Sequence, residues 1–134
     1  KCSGQNKFKK KWRVGVEDPI SLPNNIIKVI NLEDKAMATS GNYRNFVDLN
    51  GLILGHTIDP RIGKPIKSEV LSVTVISSSC MRADAWATAL MVMNFEKGQE
   101  MIQLEDDLDV FWILDVGDNN YVFEKTNGVE LEKI

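Results

Sequence analysis

Cysteine is scarce in this chain. Cys2 and Cys80 are the only two in 134 residues, too few and too far apart for a metal-binding or redox motif, so they leave the compartment open. Histidine occurs once, at His56. No apolar run approaches the ~20 residues that a membrane-spanning helix needs. Positive charge is not in excess: the net charge is −3, whereas a nucleic-acid binder carries a basic stripe. The one basic cluster, Lys7, Lys9, Lys10, Lys11 and Arg13, reads as a solvated loop. A Gly-x-Ser-x-Gly elbow, a Walker loop and a dinucleotide Gly-x-Gly-x-x-Gly are all missing, which removes the commonest hydrolase and nucleotide signatures.

What is present suits a packed domain. Hydrophobic residues make up 43% and charged ones 26%, the balance of a globular chain long enough to bury a core. The chain opens on Lys1-Cys2-Ser3-Gly4, without Met or a signal peptide, and the expectation is a portion of a longer protein. Residues 1–134 are read as one domain.

Short strands dominate the pattern. Trp12 to Glu17 alternates and runs into the Asp18-Pro19 turn, and Ile26 to Leu32 is a β-branched run suited to a buried strand. Phe46 to Leu49 and Leu52 to Leu54 flank Asn50-Gly51, a pair that favours the positive φ angles of a type I′ hairpin turn. A loop rich in turn residues, Asp59 to Pro65, precedes a predicted strand over Val70 to Ile76. Ser77-Ser78-Ser79 offers hydroxyls that accept from the free N–H groups of a first helical turn. A helix is predicted over Ala83 to Met93 and a shorter one over Glu96 to Leu104, where Gly98 weakens the pattern. Val110 to Val116, Tyr121 to Glu124 and Val129 to Leu131 read as a closing meander. The class is α+β, a mostly antiparallel sheet with hairpins and one or two helices.

Three places have side chains suited to chemistry. Asp84 and Thr88 are four apart on the predicted helix, so both point to one face. A carboxylate and a hydroxyl are hard oxygen donors that suit Mg²⁺ or Ca²⁺. Equally, a first-turn Asp is favoured by the helix dipole and Thr88 can bond back to a carbonyl. His56 stands where a strand enters the turn-rich loop, a place for a general base, or else for a histidine with no chemical duty. Ser40, before Gly41, offers a hydroxyl to a ligand or closes a strand as a polar turn; the turn is the preferred reading.

Five blocks, in order, are Trp12-Arg-Val-Gly-Val-Glu-Asp-Pro19, Ala38-Thr-Ser-Gly-Asn-Tyr-Arg44, His56-Thr-Ile-Asp-Pro-Arg-x-Gly-x-Pro65, Ser72-Val-Thr-Val75 and Ala83-Asp-Ala-x-Ala-Thr-Ala89. Together they resemble the C-terminal half of the ApbE family, the FAD:protein FMN transferases once labelled thiamine biosynthesis lipoproteins. The resemblance implies an enzyme that uses Mg²⁺ to cleave FAD, places FMN on a Thr or Ser hydroxyl of an acceptor flavoprotein of a redox complex, and releases AMP. It maps metal ligands onto Asp84 and Thr88, a catalytic or flavin-contacting base onto His56, and a backbone contact to the dinucleotide onto Ile58. It also implies an N-terminal part holding much of the FAD pocket, a further metal ligand and a lipid anchor, hence a periplasmic or outer-envelope location. The chain alone is then expected to bind FAD weakly or not at all and to be inactive. One residue departs from the family pattern: Ile62 stands where Thr is usual. Two other functions remain open on the same residues, an FAD pyrophosphatase and a non-enzymatic FAD-binding lipoprotein.

Overall fold

A computed structural model describes residues 1–21, 25–41, 46–49, 52–55, 57–66 and 68–132, with the backbone alone for 46–49 and 52–55. Strand β1 (Trp12–Glu17) pairs antiparallel with β2 (Ile26–Leu32), with a register shift between Val16 and Glu17. Then come β3 (Ala36–Gly41), the hairpin β4 (Phe46–Leu49) and β5 (Leu52–Gly55), and two very short strands, β6 (Ile58–Asp59) and β7 (Lys64–Pro65). Strand β8 (Val70–Ser77) leads into helices α1 (Cys80–Val92) and α2 (Phe95–Ile102), and β9 (Asp109–Gly117) and β10 (Asn120–Lys125) close the chain.

The central sheet has four antiparallel strands in the order β10-β9-β8-β3. Because side chains alternate along a strand, β9 serves two cores. Val110, Trp112 and Leu114 join Val73, Val75 and the buried residues Ala83, Ala87, Leu90 and Met91 of α1. Phe111 and Ile113 face the other way and pack with Val16, Ile30 and Leu32 of the β1–β2 pair. The sheet is therefore sandwiched between helices and a hairpin, and β9 is apolar at every position from Val110 to Leu114 because both its faces are covered.

Local chemistry accounts for the ends of these elements. Ser79 caps α1, its side chain accepting from the Arg82 N–H, and Asn94 caps α2 through the Lys97 N–H. The helix thus starts at Cys80, before the predicted Ala83, since the serine cap sits immediately upstream. Between β9 and β10 both Asp118 and Asn119 take positive φ, the signature of a two-residue type I′ connection. Residues 50–51, predicted to form the other such turn, lie outside the described residues, although β4 and β5 pair across them in hairpin register.

Two expectations need correcting. Val129 to Leu131 forms no strand; Leu131 makes an isolated bridge with Ile30, and Val129 is buried against the hairpin core. Ser40 does not close a strand as a turn. It lies within β3, paired with Val73, because the alternation that starts at Ala36 continues through Gly41. Of the basic cluster, Lys7, Lys9 and Lys10 are exposed outside any strand, whereas Arg13 lies within β1, and Lys11 and Arg13 reach Glu130 and Glu132 at 2.6 Å. Both cysteines are free thiols.

Candidate functional site

Along the β3 edge of the sheet lies an open cavity of about 1040 Å³. Four stretches line it: Gly15–Glu17 on β1, Thr39–Gly41 on β3, Thr57 to Arg61 around β6, and the C-terminal half of α1. Three of them present small side chains: Gly15 on β1, Thr39 to Gly41 on β3, and Ala85, Thr88 and Ala89 on α1. At Gly15 a Cβ would stand 2.8 Å from the tip of the Ile26 side chain, so any larger residue there would push that side chain aside. The four alternate alanines of α1 divide the labour: Ala83 and Ala87 are buried in the core, while Ala85 and Ala89 line the cavity. With methyl groups at these four positions, α1 packs against β3 and still leaves room beside it.

Thr88 and Ile58, both predicted site residues, line this cavity. Thr88 is exposed, and its hydroxyl lies 3.3 Å from that of Ser40 across the gap between helix and strand. Ser40 is one layer further supported, since its neighbour Thr39 bonds to Thr74 of β8 at 2.8 Å. Asp84 is exposed one turn before Thr88 and lies outside the cavity lining. His56 lies outside the described residues; Gly55 before it ends β5, and Thr57 after it is already part of the cavity wall. Ile62, the departure from the family pattern, is 62% exposed and does not line this cavity, so the missing hydroxyl leaves the wall unaltered.

Donor chemistry decides what cation these residues suit. Among the described residues no three His, Cys, Asp or Glu side chains converge on one point. Asp84 and Thr88 supply a carboxylate and a hydroxyl on one helical face. Mg²⁺ is commonly held by one or two carboxylates together with substrate phosphates and water. The pair therefore fits a Mg²⁺ shared with a phosphate-bearing substrate, and does not form a closed site of its own.

Both ends of α1 are fixed by polar groups that sequence reading did not single out. At the start, Asp107 accepts from the Ser78 hydroxyl at 2.6 Å, the Lys35 ammonium at 3.0 Å, the Ser78 N–H at 3.2 Å and the Ser77 hydroxyl at 3.3 Å. The Ser78 and Lys35 contacts hold its carboxyl far below the usual carboxylate range. At the finish, Arg61 donates to the Val92 carbonyl at 3.3 Å and forks onto Asp59, which lowers the Asp59 carboxyl and raises the guanidinium. Asp59 and Arg61 are two residues apart, but the contacts of Asp107 with Ser77, Ser78 and Lys35 and of Arg61 with Val92 join partners 29 or more residues apart, which no spacing rule marks.

Comparison with known proteins agrees with the resemblance. The ApbE family profile matches residues 1–112. The FAD:protein FMN transferase of Escherichia coli strain K12 is 41% identical over 108 residues, covering 81% of this chain and 30% of that protein. That of Haemophilus influenzae is 32% identical over 128 residues, 95% of this chain and 36% of the relative. Among solved structures, the apo flavinyl transferase ApbE of Pseudomonas stutzeri superposes with a TM-score of 0.73 at 33% identity, over 93% of this chain and 38% of that one. The flavin transferase ApbE of Vibrio cholerae gives 0.73 at 35% identity, over 92% and 38%. The chain spans 30 to 38% of the length of these relatives and solved structures, nearer a third than the expected half. The chain belongs to the ApbE family.

Proposed function

We propose that this chain is the C-terminal portion of an enzyme that transfers FMN from FAD to a Thr or Ser hydroxyl of an acceptor flavoprotein. The observation that carries the reading is the meeting of Thr88, Ser40 and the loop that follows His56 on one cavity, in a chain whose relatives are named for this reaction. In the proposed step the acceptor hydroxyl oxygen bonds to the phosphorus of the FMN moiety while the pyrophosphate P–O bond breaks. AMP leaves with the electron pair, and the hydroxyl proton passes to the His56 imidazole. His56 enters on the resemblance, and a general base must come within hydrogen-bond reach of the acceptor hydroxyl. Asp84 and Thr88 would hold Mg²⁺, which supplies neutralisation of the charge on the pyrophosphate oxygens. Thr88, bonded to Ser40, has its hydroxyl oriented before any ligand arrives. In the same reading the full-length protein is lipid-anchored at the periplasmic or outer face of the envelope.

The test is mass spectrometry of a candidate acceptor after incubation with the full-length protein, FAD and Mg²⁺. A covalent FMN adduct that disappears with a chelator is the expected result. Release of FMN and AMP with no adduct would instead identify a pyrophosphatase, and FAD bound without AMP release a carrier. His56→Ala should cut transfer by roughly 10²–10⁴-fold with FAD affinity retained. Equal rates in variant and wild type would remove His56 from the chemistry.

A further inference from the structure

We propose that Asp59 and Arg61 form a positioning pair that docks the loop following His56 onto the C-terminal end of α1, and so sets the opening of the cavity. Asp59 is only 6% exposed, although it sits in a surface loop. Its Oδ1 accepts from the Arg61 backbone N–H and Nε, both at 2.9 Å, and its Oδ2 accepts from Nη2 at 2.6 Å. The carboxylate therefore fixes both the turn and the guanidinium plane. From that fixed plane, Nη2 also donates to the Val92 carbonyl, the last residue of α1.

The helix end needs such a donor. Its last turn contains no basic residue, and at Met93 the chain turns extended at φ −89° and ψ 153°. The final carbonyls of a helix have no partner within it and carry the negative end of its dipole. Arg61 supplies both a hydrogen bond and a positive charge from across the cavity. The loop it brings is stiff: the Gly63 N–H donates to the Asp59 carbonyl at 2.8 Å and the Ile66 N–H to that of Thr57 at 3.1 Å. Ile58 and Thr88 thus stand on two walls joined by one tie.

In its kinetic consequence the proposal rests on the flavin-transfer reading; in its structural consequence it does not. The experiment uses the full-length protein with Arg61→Lys, Arg61→Ala, Asp59→Asn and the combined D59N/R61A variant. Amide hydrogen exchange is followed without FAD, and kcat and KM for FAD are then measured. Expected is faster exchange at Ile62 and Gly63, by about tenfold or more against core amides, with a comparable fall in kcat/KM. Arg61→Lys should behave like Arg61→Ala, since an ammonium keeps the charge and loses the fork. The combined variant should lose no more than either single one, because all remove the same tie. If Asp59→Asn does not fold, Arg61→Lys decides the matter. Loop exchange and kcat/KM unchanged beside a lowered melting temperature would mean a merely stabilising contact and overturn the proposal, as would wild-type behaviour of Arg61→Lys or strictly additive losses. A wild-type protein that transfers no flavin would sink the functional reading alone, leaving the exchange data to judge the tie.

Discussion

The two edge strands of the central sheet are built to opposite ends. Strand β10 carries large side chains: Phe123 stacks on Phe111 with ring centroids 5.5 Å apart, and Tyr121 lies 5.4 Å from Phe123. Strand β3 carries Thr39, Ser40 and Gly41 on the cavity and the small Ala38 against the helix-side core. The anchoring differs as well. The β10 edge is held by apolar and aromatic packing, whereas the approach to β3 is held by charge, through Lys35 on Asp107. Charge meets β10 on its rings, where the Lys28 ammonium stands 4.8 Å from the centre of Phe123, whereas the edge that borders the cavity is held at a point that does not obstruct it.

The largest effect should come from breaking the apolar side. Phe111→Ala removes a fully buried ring and should cost about 3–5 kcal/mol of unfolding free energy in a urea titration. Phe123, 36% exposed on the edge itself, should cost clearly less on truncation. Equal losses would mean that β10 belongs to the core as fully as β9 does.

On the other edge the expected loss is in activity. Thr88→Ala in the full-length protein should lower kcat/KM for flavin transfer roughly 10²-fold, about 2.7 kcal/mol of transition-state stabilisation. Unfolding should shift by no more than about 1 kcal/mol, because Thr88 is exposed and gives up one side-chain hydrogen bond. Ser40→Ala should lower the same rate by a smaller factor. A stability loss as large as that of Phe111→Ala would make this edge structural too.

Protonation separates the anchors. The carboxyls of Asp107 and Asp59 lie below their ordinary values, so the stability they lend is complete above about pH 4, the range in which an unfolded carboxyl titrates. It is lost as pH falls through the lower, folded values. Melting temperature should therefore hold from neutrality to about pH 5 and decline below pH 4, with β3 amides exchanging before those of β10. Asp107→Asn should flatten that decline. The smallest effect is expected at Gly63, which holds φ +63° in open space. Gly63→Ala should cost about 1–2 kcal/mol through the left-handed conformation alone, read from thermal melts.

Much of this architecture is legible in local sequence. The serines before the alanine-rich helix and the turn residues from Gly117 to Asn120 specify structure through neighbours a few residues away. The paired Asp84 and Thr88 are legible for the same reason, as helical periodicity puts them on one face. Ser40 was misread because a small polar residue before glycine has the local signature of a turn. Only its pairing with Val73 shows that the strand continues. Arg61 and Asp107 were passed over because an arginine in a loop or an aspartate after a helix looks solvated until its partner is placed.

Although β3, β6 and β7 escaped it, the sequence by itself determined the other strands, the two helices, the turn at Asp118-Asn119, the serine cap of α1 and, through five ordered blocks, membership of the ApbE family. Those properties depend on φ preferences, periodicity and motif spacing, all of which are written within short stretches of chain. Tertiary structure alone decided that β3 rather than β10 borders the cavity, that Ser40 meets Thr88, that Asp84 stays outside the lining, and that Asp107 and Arg61 hold the two ends of one helix. Each of these joins residues far apart in the chain, and such contacts exist only once the sheet has set its strand order and the helix has packed against it.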